Sequence, residues 1–417
     1  MRLSPFEGKY LANPTDVWRD LLNGSDGVHY AEDLGMWLIS RHDDVRQAFG
    51  DSDTFGNRLT LAPVYEMCPQ ARSTLAHLDM PPTTAAADSP IHTRTRRALR
   101  ATFASTSSRV GAQYEPIVRR RVDDLVAGIA ACRRGEVVDL VPEFASLLPL
   151  LVLADILGVP EQDVPAIRSW ADGQIALNWG QPTPTEQVRL AQGLVNFWQY
   201  CQVLVAQRVD ENATGDDFVS RALRYRDGHD GVLTEAEVAS MAFNLLVAGH
   251  ETSAALLAHA LERALSTPAR WQHLAANPQV VPTFMEEVLR LQPAIDGWVR
   301  LARRPAVVAG TTIPAGARCL LLIGAANRDP AAFRDPDCFV PGRANATAHL
   351  SFGHGPHFCI GAALARLQAR IALGQLATRA PGLRLAPGHA AGFTPNLAFR
   401  AHRTLLVVTQ PRSSHRF

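Results

Sequence analysis

The sequence predicts a mainly α-helical fold with small β-sheets (α+β), and three observations support that prediction. Apolar residues follow a mostly helical pattern from Ser105 to about Leu265. Proline and glycine are denser in the first 90 residues and again from Pro293 onward, which indicates turns and loops there. The β-like runs are short, and helices and strands do not alternate regularly as they would in an α/β fold.

The elements can be placed in order along the chain. The apolar run Phe144 to Leu157 and the amphipathic stretch Gln187 to Val209 predict core helices, and Ala239 to Leu265 predicts one long helix. No repeat and no long low-complexity linker divides the chain, which favours one large helical body. Small peripheral sheets are expected from four β-like runs, Met36 to Ile39, Ala306 to Val308, Arg318 to Leu322 and Thr404 to Val408.

Two segments are candidate mobile or binding elements. Thr60 to Pro90 is rich in proline, threonine and alanine, and it is too long for a simple connection. Trp170 to Thr185 combines Trp179 with Gly180 and two prolines. The alternative for each segment is an ordinary surface loop.

The composition excludes several classes of protein. Of 417 residues, 47% are hydrophobic and 19% are charged, as in an ordinary globular protein. The net charge of +1 gives no global field for nucleic acid or an anionic membrane. The N-terminus, MRLSPFEGKY, has no apolar run of signal-peptide or membrane length, so a cytoplasmic location is expected. The six cysteines include no CxxC pair, which argues against a disulfide framework or a zinc ribbon.

The densest chemical signal is FGHGPHFCIG, residues 352–361. A thiolate is a good metal ligand, and Cys359 directly precedes a strongly helix-forming stretch, whose N-terminus stabilises negative charge. The glycines allow the backbone to approach closely, which predicts a cradle for one sulfur against a flat partner. A zinc site of His354, His357 and Cys359 is the alternative, but no second cluster with zinc-like spacing accompanies these residues.

A second signal, AGHETS, lies inside the predicted long helix. His250 and Glu251 resemble the start of an HExxH zinc-protease helix, but that pattern fails because position 254 is Ala254. The small pair Ala248 and Gly249, one turn before Thr252, can open a groove for a small ligand. Threonine can also bond back to the carbonyl four residues earlier. A packing glycine followed by a buried threonine remains the alternative.

Charged residues with helical spacing form a third signal. Glu287 and Arg290 share a helix face, and Arg343 could join them in a buried ion-pair network. The alternative is an exposed pair of little energetic value.

A fourth signal is His92 and Arg96, four residues apart within HTRTRR. With Arg300 and His357, they could bind an acidic group through charge-assisted hydrogen bonds. The alternative is a solvated basic helix face.

Each signal is modest alone, but their order and spacing resemble a bacterial cytochrome P450 over nearly the whole chain. The motifs are HTRTRR, AGHETS, EEVLR about 35 residues later, AANRDP, and FGHGPHFCIG followed by LAR. The resemblance implies the cytochrome P450 fold, a single haem-thiolate monooxygenase domain over residues 1–417 around a buried haem b, without a fused reductase domain. The family often has an acidic residue where this chain has Gln368, a difference that leaves the catalytic pattern intact.

The resemblance also implies roles for individual residues. Cys359 looks like the thiolate ligand of the haem iron, and Glu251 and Thr252 look like the acid–alcohol pair that relays protons. His354 is expected to be incidental. The structural ion triad would be Glu287, Arg290 and Arg343. The implied cofactor-binding residues are His92, Arg96, Arg300 and His357, which would pair with the haem propionates, and Ala248, Gly249, Phe352 and Gly361.

The activity implied is insertion of one oxygen atom from O2 into a mainly apolar small organic molecule, by hydroxylation or epoxidation. Secondary-metabolite tailoring or xenobiotic oxidation would be the setting. The alternatives are other oxidative chemistry such as ring coupling, a peroxide-driven enzyme, and a non-catalytic haem-thiolate scaffold. The substrate-binding residues expected by position are Trp179, Leu245, Ile295, Asp296, Trp298 and Phe399, although Asp296 has the alternative role of capping a turn.

The expected partners are a separate ferredoxin and ferredoxin reductase that draw electrons from NAD(P)H. An acidic ferredoxin would dock on a basic surface formed by Arg94, Arg97, Arg100 and Arg366. The protein is expected to be a monomer that binds neither nucleic acid nor membranes.

Overall fold

The computed structural model describes residues 4–24, 27–133, 135–229 and 233–409, and it confirms the mainly helical α+β fold. Ten strands alternate irregularly with the helices. Fifteen α-helices lie in the described ranges: α1 Gly8–Ala12, α2 Thr15–Asn23, α3 His42–Gly50, α4 Pro69–Leu75, α5 Ile91–Thr102, α6 Ser107–Ala131, α7 Leu147–Leu157, α8 Val164–Trp179, α9 Pro184–Asp210, α10 Phe218–Asp227, α11 Glu235–Leu265, α12 Pro268–Ala276, α13 Val281–Leu291, α14 Ile323–Ala326 and α15 Ala362–Arg379.

Three small sheets lie at the periphery of the helical body. The largest has the order β1-β2-β8-β5-β3, and only its β2–β8 pair is parallel. A second sheet has the order β4-β10-β9, and a third pairs β6 with β7. The strands are β1 Val28–Ala31, β2 Met36–Ile39, β3 Phe55–Gly56, β4 Val137–Asp139, β5 Trp298–Ala302, β6 Ala306–Val308, β7 Thr311–Ile313, β8 Arg318–Leu321, β9 Arg384–Leu385 and β10 Leu406–Val408.

The long helix α11 is the centre of the core. It packs against α7, α8, α9 and α15, and most of its side chains are buried. A capping box fixes its start, because the Thr234 hydroxyl accepts from the Glu237 amide at 3.1 Å and the Glu237 carboxylate accepts from the Thr234 amide at 2.9 Å. The helix therefore has a defined start at Glu235 and continues without interruption to Leu265.

One of the two candidate mobile segments is mainly helical. Residues Trp170 to Trp179 form the second half of α8, and Pro184 occupies the first turn of α9. A proline is tolerated there because the first amide of a helix needs no intrahelical partner. The other segment, Thr60 to Pro90, contains the short helix α4 but is otherwise irregular.

Within the described residues, none of the helices combines the length and the apolar character that a membrane crossing requires.

Candidate active site

A cavity of about 260 Å³ lies between α11 and the loop that precedes α15. Ala248, Gly249 and Thr252 line it from α11, and Cys359 lines it from the opposite loop. Phe352, His357 and Gly361 from the same loop also line it. The two motifs that stood far apart in the sequence therefore face one space.

The loop before Cys359 has a conformation that requires glycine. Gly355 has a φ of +73°, and a Cβ atom there would lie 2.9 Å from Gly50 Cα. The amide of Cys359 donates to the Phe352 carbonyl at 2.9 Å, which closes the loop. Cys359 has accessible surface because it faces the cavity, although its thiol lies deep within the protein. The sulfur is thus held at the start of α15.

The electrostatic surroundings of Cys359 act in opposite directions. Burial raises the pKa of its thiol, while the amides of Gly361 and Ala362 and the guanidiniums of Arg96 and Arg366 lower it. Burial prevails in the protein alone. A bound cation on the sulfur would reverse that balance, because a coordinating thiol is deprotonated.

Four basic side chains converge at one end of the cavity. His92 stacks on His357 with ring centroids 3.8 Å apart. Of the two, His357 lines the cavity and His92 lies behind it. Arg96 and Arg300 also line the cavity, and the Arg300 guanidinium donates to Thr60 Oγ1 at 3.2 Å. The pKa of Arg300 falls to about 9 because the side chain is buried. Burial and the neighbouring basic groups lower the pKa of His357 to about 3.

The basic cluster of His92, Arg96, Arg300 and His357 contains buried atoms that lack hydrogen-bond partners. His92 Nε2 and Arg96 Nε are buried without a hydrogen-bond partner, and no acidic side chain among the described residues lines the cavity. Buried cations are costly unless they are paired with anions. A ligand that brings carboxylates to this end would satisfy the cluster. A flat cofactor with two propionates and an iron that binds a thiolate, haem b, fits the donor set.

Small and hydroxyl-bearing residues of α11 line the cavity. Thr252 Oγ1 donates to the Ala248 carbonyl at 2.7 Å, as the sequence predicted. A Cβ atom at Gly249 would lie 3.0 Å from Leu153 Cδ1, so this glycine allows α7 to pack closely. Gly249 thus both allows α7 to pack closely against α11 and lines the cavity.

Glu251 does not line the cavity; it turns toward α8. Together with Asp172 and His250 it forms the only group of three His, Cys, Asp or Glu side chains in the described ranges whose ligand atoms all lie within 4.8 Å of one another. The set His354, His357 and Cys359 is not such a group. Burial and the nearby Asp172 carboxylate raise the pKa of Glu251 to about 7.

The predicted ion triad is present, and the side chains of Glu287 and Arg290 are fully buried. Arg290 donates to both Glu287 oxygens at 2.8 Å, and Arg343 Nε donates to Glu287 Oε1 at 3.1 Å. Arg290 also donates to the carbonyls of Asn327, Pro336 and Cys338. The triad joins α13 to the loops that precede FGHGPHFCIG and does not line the cavity.

Part of the cavity wall is aromatic. Trp179 stacks on Trp298 with centroids 5.7 Å apart, and Phe399 lies 4.9 Å from Trp179. Ile295 packs against these rings, and Leu245 lines the same cavity. Five of the six expected substrate-binding residues are therefore brought together.

The structure corrects the assignment of Asp296. This residue is buried outside the cavity, in a small space beside Tyr10 and Arg400. Ile295 forms an extended bridge with Phe399, and successive side chains of an extended segment point to opposite sides. Because Ile295 faces the cavity, Asp296 faces away from it.

Sequence reasoning missed several lining residues. Asn244 lies one turn before Ala248 on α11, so helical spacing could have identified it. Gln174 on α8 carried no signal. Asn57 does not line the cavity, but its amide nitrogen lies 3.0 Å from His357 Nε2; it is far from His357 in the sequence and no motif indicated it.

Comparisons with known proteins agree with this geometry. Residues 174–379 match the family described as cytochrome P450. Cytochrome P450 107B1 of Saccharopolyspora erythraea is 36% identical over 85% of this chain and 84% of its own length. The erythromycin C-12 hydroxylase of the same organism is 34% identical over 83% and 82%, respectively. The solved structure of cytochrome P450 CREJ in complex with (4-ethylphenyl) dihydrogen phosphate has a TM-score of 0.91 and 34% identity, covering 97% of this chain and 98% of that one.

Proposed function

The chain belongs to the cytochrome P450 family of haem-dependent monooxygenases, and from that membership we propose that it inserts one oxygen atom from O2 into a mainly apolar small organic molecule by hydroxylation or epoxidation. The observation that carries this proposal is that Cys359 and Thr252 face one cavity whose wall is partly aromatic. By analogy with the erythromycin hydroxylase, the substrate is a secondary metabolite. The single domain over residues 1–417, the monomeric state and the cytoplasmic location remain predictions.

Different residues of the cavity would bind the iron and the propionates of the cofactor. Cys359 would bind the haem iron, and Arg96, Arg300 and His357 would pair with the propionates, with His92 supporting His357 from behind. When bound, haem b supplies the iron at which O2 is activated, and the cysteine thiolate donates electron density that favours O–O cleavage. Phe352 and Gly361 complete the cavity wall near the sulfur.

The proton supply is assigned to α11. The Thr252 hydroxyl lies on the cavity wall, and Glu251 lies behind it toward α8 and the half-exposed Asp172. Because burial and the Asp172 carboxylate raise the pKa of Glu251, its carboxyl group holds a proton at higher pH than an ordinary glutamate, as a proton donor to Thr252 requires. Thr252 would then pass protons into the cavity.

Replacement Thr252→Ala is expected to uncouple the reaction. Without the hydroxyl, product formed per NAD(P)H should fall by about tenfold or more, because positioned proton transfer contributes at least that much. NAD(P)H consumption should continue, and hydrogen peroxide should accumulate. The measurement compares product, peroxide and NAD(P)H for a compound selected by its spectral shift on the ferric protein.

The control is Thr252→Ser, which keeps a hydroxyl at the same position and should retain most of the coupling. Unchanged coupling in Thr252→Ala would refute the proton role of this residue.

The proposed electron donor is a separate acidic ferredoxin served by its reductase. Two of the four arginines expected to bind it are used internally, since Arg94 pairs with Glu237 and Arg366 donates to Glu286 at 2.6 Å and 2.9 Å. Arg97 and Arg100 are exposed on α5. The adjacent residue Arg96 donates to the carbonyl of Phe358, a residue that directly precedes Cys359 and is 42% exposed. This surface lies directly over the cysteine loop.

Charge reversal at Arg100 tests the ferredoxin surface. In Arg100→Glu, the rate of ferredoxin-supported reduction at low ionic strength should fall by about tenfold, and the difference from the wild type should shrink as salt screens the charges. Arg189→Glu, at an exposed position on α9, is the matched control and should have little effect. Salt-independent reduction by the wild type would contradict electrostatic docking.

A further inference from the structure

The cavity has an uneven distribution of charge. Among its described lining residues, the charged side chains are Arg96 and Arg300, both in the basic cluster with His357. That cluster is assigned to the carboxylates of the cofactor. The remaining wall offers no charge to a substrate.

Three carboxamides nevertheless line the uncharged part of the cavity: Gln368 on α15, the helix that begins just after Cys359, and two others on a separate pair of helices. Gln174 lies on α8 and Asn244 lies on α11, and these helices pack against each other. Gln174 is only 5% exposed, and its Oε1 atom is buried without a hydrogen-bond partner. The structure gives neither the Gln174 nor the Asn244 side-chain amide a hydrogen bond to another described residue. Each amide carries both donors and an acceptor.

An unpartnered buried amide is unfavourable, so such groups normally have partners. Residues that only fill space on a substrate wall are apolar, as Leu245, Val247 and Ile295 are here. The indole Nε1 of Trp179, on the same helix as Gln174, is also buried without a partner. Three neutral polar groups of this wall thus have unused hydrogen-bonding capacity.

The aromatic side chains define the shape of what can bind beside them. Trp179, Trp298 and Phe399 pack on one another and all line the cavity. Aromatic faces of this kind bind flat hydrocarbon by offset stacking and by burial of apolar area. A flat face and a neutral polar group are therefore accommodated in the same cavity.

We propose that the substrate is an uncharged molecule with a flat aromatic or conjugated face and a neutral hydrogen-bonding group, such as a hydroxyl or an amide, that Gln174 and Asn244 recognise. This inference rests on the proposed function and defines its substrate class. A carboxylate or phosphate is disfavoured, because it would lose its hydration without gaining a cationic partner on this wall. Neutral carboxamides discriminate in this way by leaving an anion uncompensated.

The test uses three probes with the same ring system: naphthol, naphthalene and naphthoate, with the substituent at one ring position. Each is titrated into the ferric holoenzyme, and the dissociation constant is taken from the shift of the haem absorption band. Naphthol should bind about tenfold more tightly than naphthalene, the effect of one or two net hydrogen bonds. Naphthoate should bind most weakly. Tightest binding of naphthoate would overturn the proposal.

Variants then locate the recognition. Gln174→Leu and Asn244→Leu should each reduce the preference for naphthol over naphthalene, and the double variant should abolish it. Naphthalene binding should stay within about twofold, because leucine preserves the apolar contacts. The matched control is Gln202→Leu, at an exposed glutamine on α9, which should keep the full preference. A double variant that keeps the preference would assign recognition elsewhere and refute the inference.

A parallel carbon monoxide spectrum of each reduced protein separates this inference from the proposed function. If the wild type lacks the red-shifted band typical of thiolate-ligated haem, the proposed function fails and this inference fails with it. If the band is present and the three probes bind equally, only the substrate class is refuted.

Discussion

Replacement of Cys359 by serine is expected to abolish turnover and to remove the red-shifted carbon monoxide band of the reduced protein. Cys359 is the only cysteine among the described residues that lines the cavity, so no second sulfur can replace it. A serine hydroxyl is a far weaker acid than a thiol and does not supply the electron density of a thiolate. Product formation with ferredoxin and NAD(P)H should therefore fall below detection.

Cys338→Ser is the matched control for this change. Cys338 is exposed, and only its backbone carbonyl takes part in the network around Arg290 and Arg343. Its spectrum and turnover should equal those of the wild type. The Cys359→Ser protein should keep its far-ultraviolet circular dichroism, because the loop is held by Gly355 and by the hydrogen bond between the Cys359 amide and the Phe352 carbonyl. A persistent thiolate band would identify another ligand.

Sequence reasoning located the elements whose pattern is local. The predicted long helix Ala239 to Leu265 extends to Glu235–Leu265, and the strands Met36–Ile39 and Ala306–Val308 have the predicted bounds. These segments have strong helical periodicity or are short apolar runs with aromatic or β-branched residues, so local preference and tertiary packing agree. The start of α11 was missed because the capping box at Thr234 is a polar signal outside the apolar pattern.

One prediction from the local sequence was wrong, at the segment around Trp179. The glycine and prolines near Trp179 suggested a loop, yet α8 continues to Trp179 itself. Its last turn is held by distant residues, since the carbonyls of Asn178 and Trp179 accept from the amides of Val64 and Leu397 at 2.9 Å. Contacts between residues so far apart in the chain have no signature in a short sequence window.

The same distinction applies to the site. Cys359, Thr252 and the ion triad could be recognised because each belongs to a compact motif. Asp296 was assigned to the substrate side together with its neighbour Ile295, although successive side chains of an extended backbone point to opposite sides. Only the packing of α8 against α11 shows that Gln174 belongs to the cavity wall. Residues that set specificity are thus those that sequence patterns locate least well.

The second large effect is expected at the ion triad. Glu287→Gln keeps the size of the side chain but removes its charge, leaving Arg290 fully buried and Arg343 nearly buried without a counter-charge. Breaking a buried ion pair in this way costs about 3–5 kcal/mol of the free energy of unfolding. We expect that loss in denaturant unfolding followed by tryptophan fluorescence, together with a lower haem content.

Glu115→Gln provides the matched control, because Glu115 pairs with Arg119 and, at 3.6 Å, with Arg370 on the more exposed surface of α6. An exposed pair of this kind is worth less than about 1 kcal/mol. An equal loss of stability in the two variants would show that the triad does not stabilise the core. Retained stability with lost haem would instead limit its role to the cysteine loop.

The pH dependence gives an independent check of the triad. Burial alone would raise the pKa of Glu287, but hydrogen bonds from Arg290, from the Val340 amide and from Arg343 outweigh burial and lower it. A carboxylate with a lowered native pKa adds stability that is complete above the pKa of an unfolded glutamate, about 4, and that is lost as pH falls through the native value. The wild type should therefore lose part of its advantage over Glu287→Gln on acidification. A constant difference between the two proteins across that range would mean that the charge of Glu287 contributes nothing.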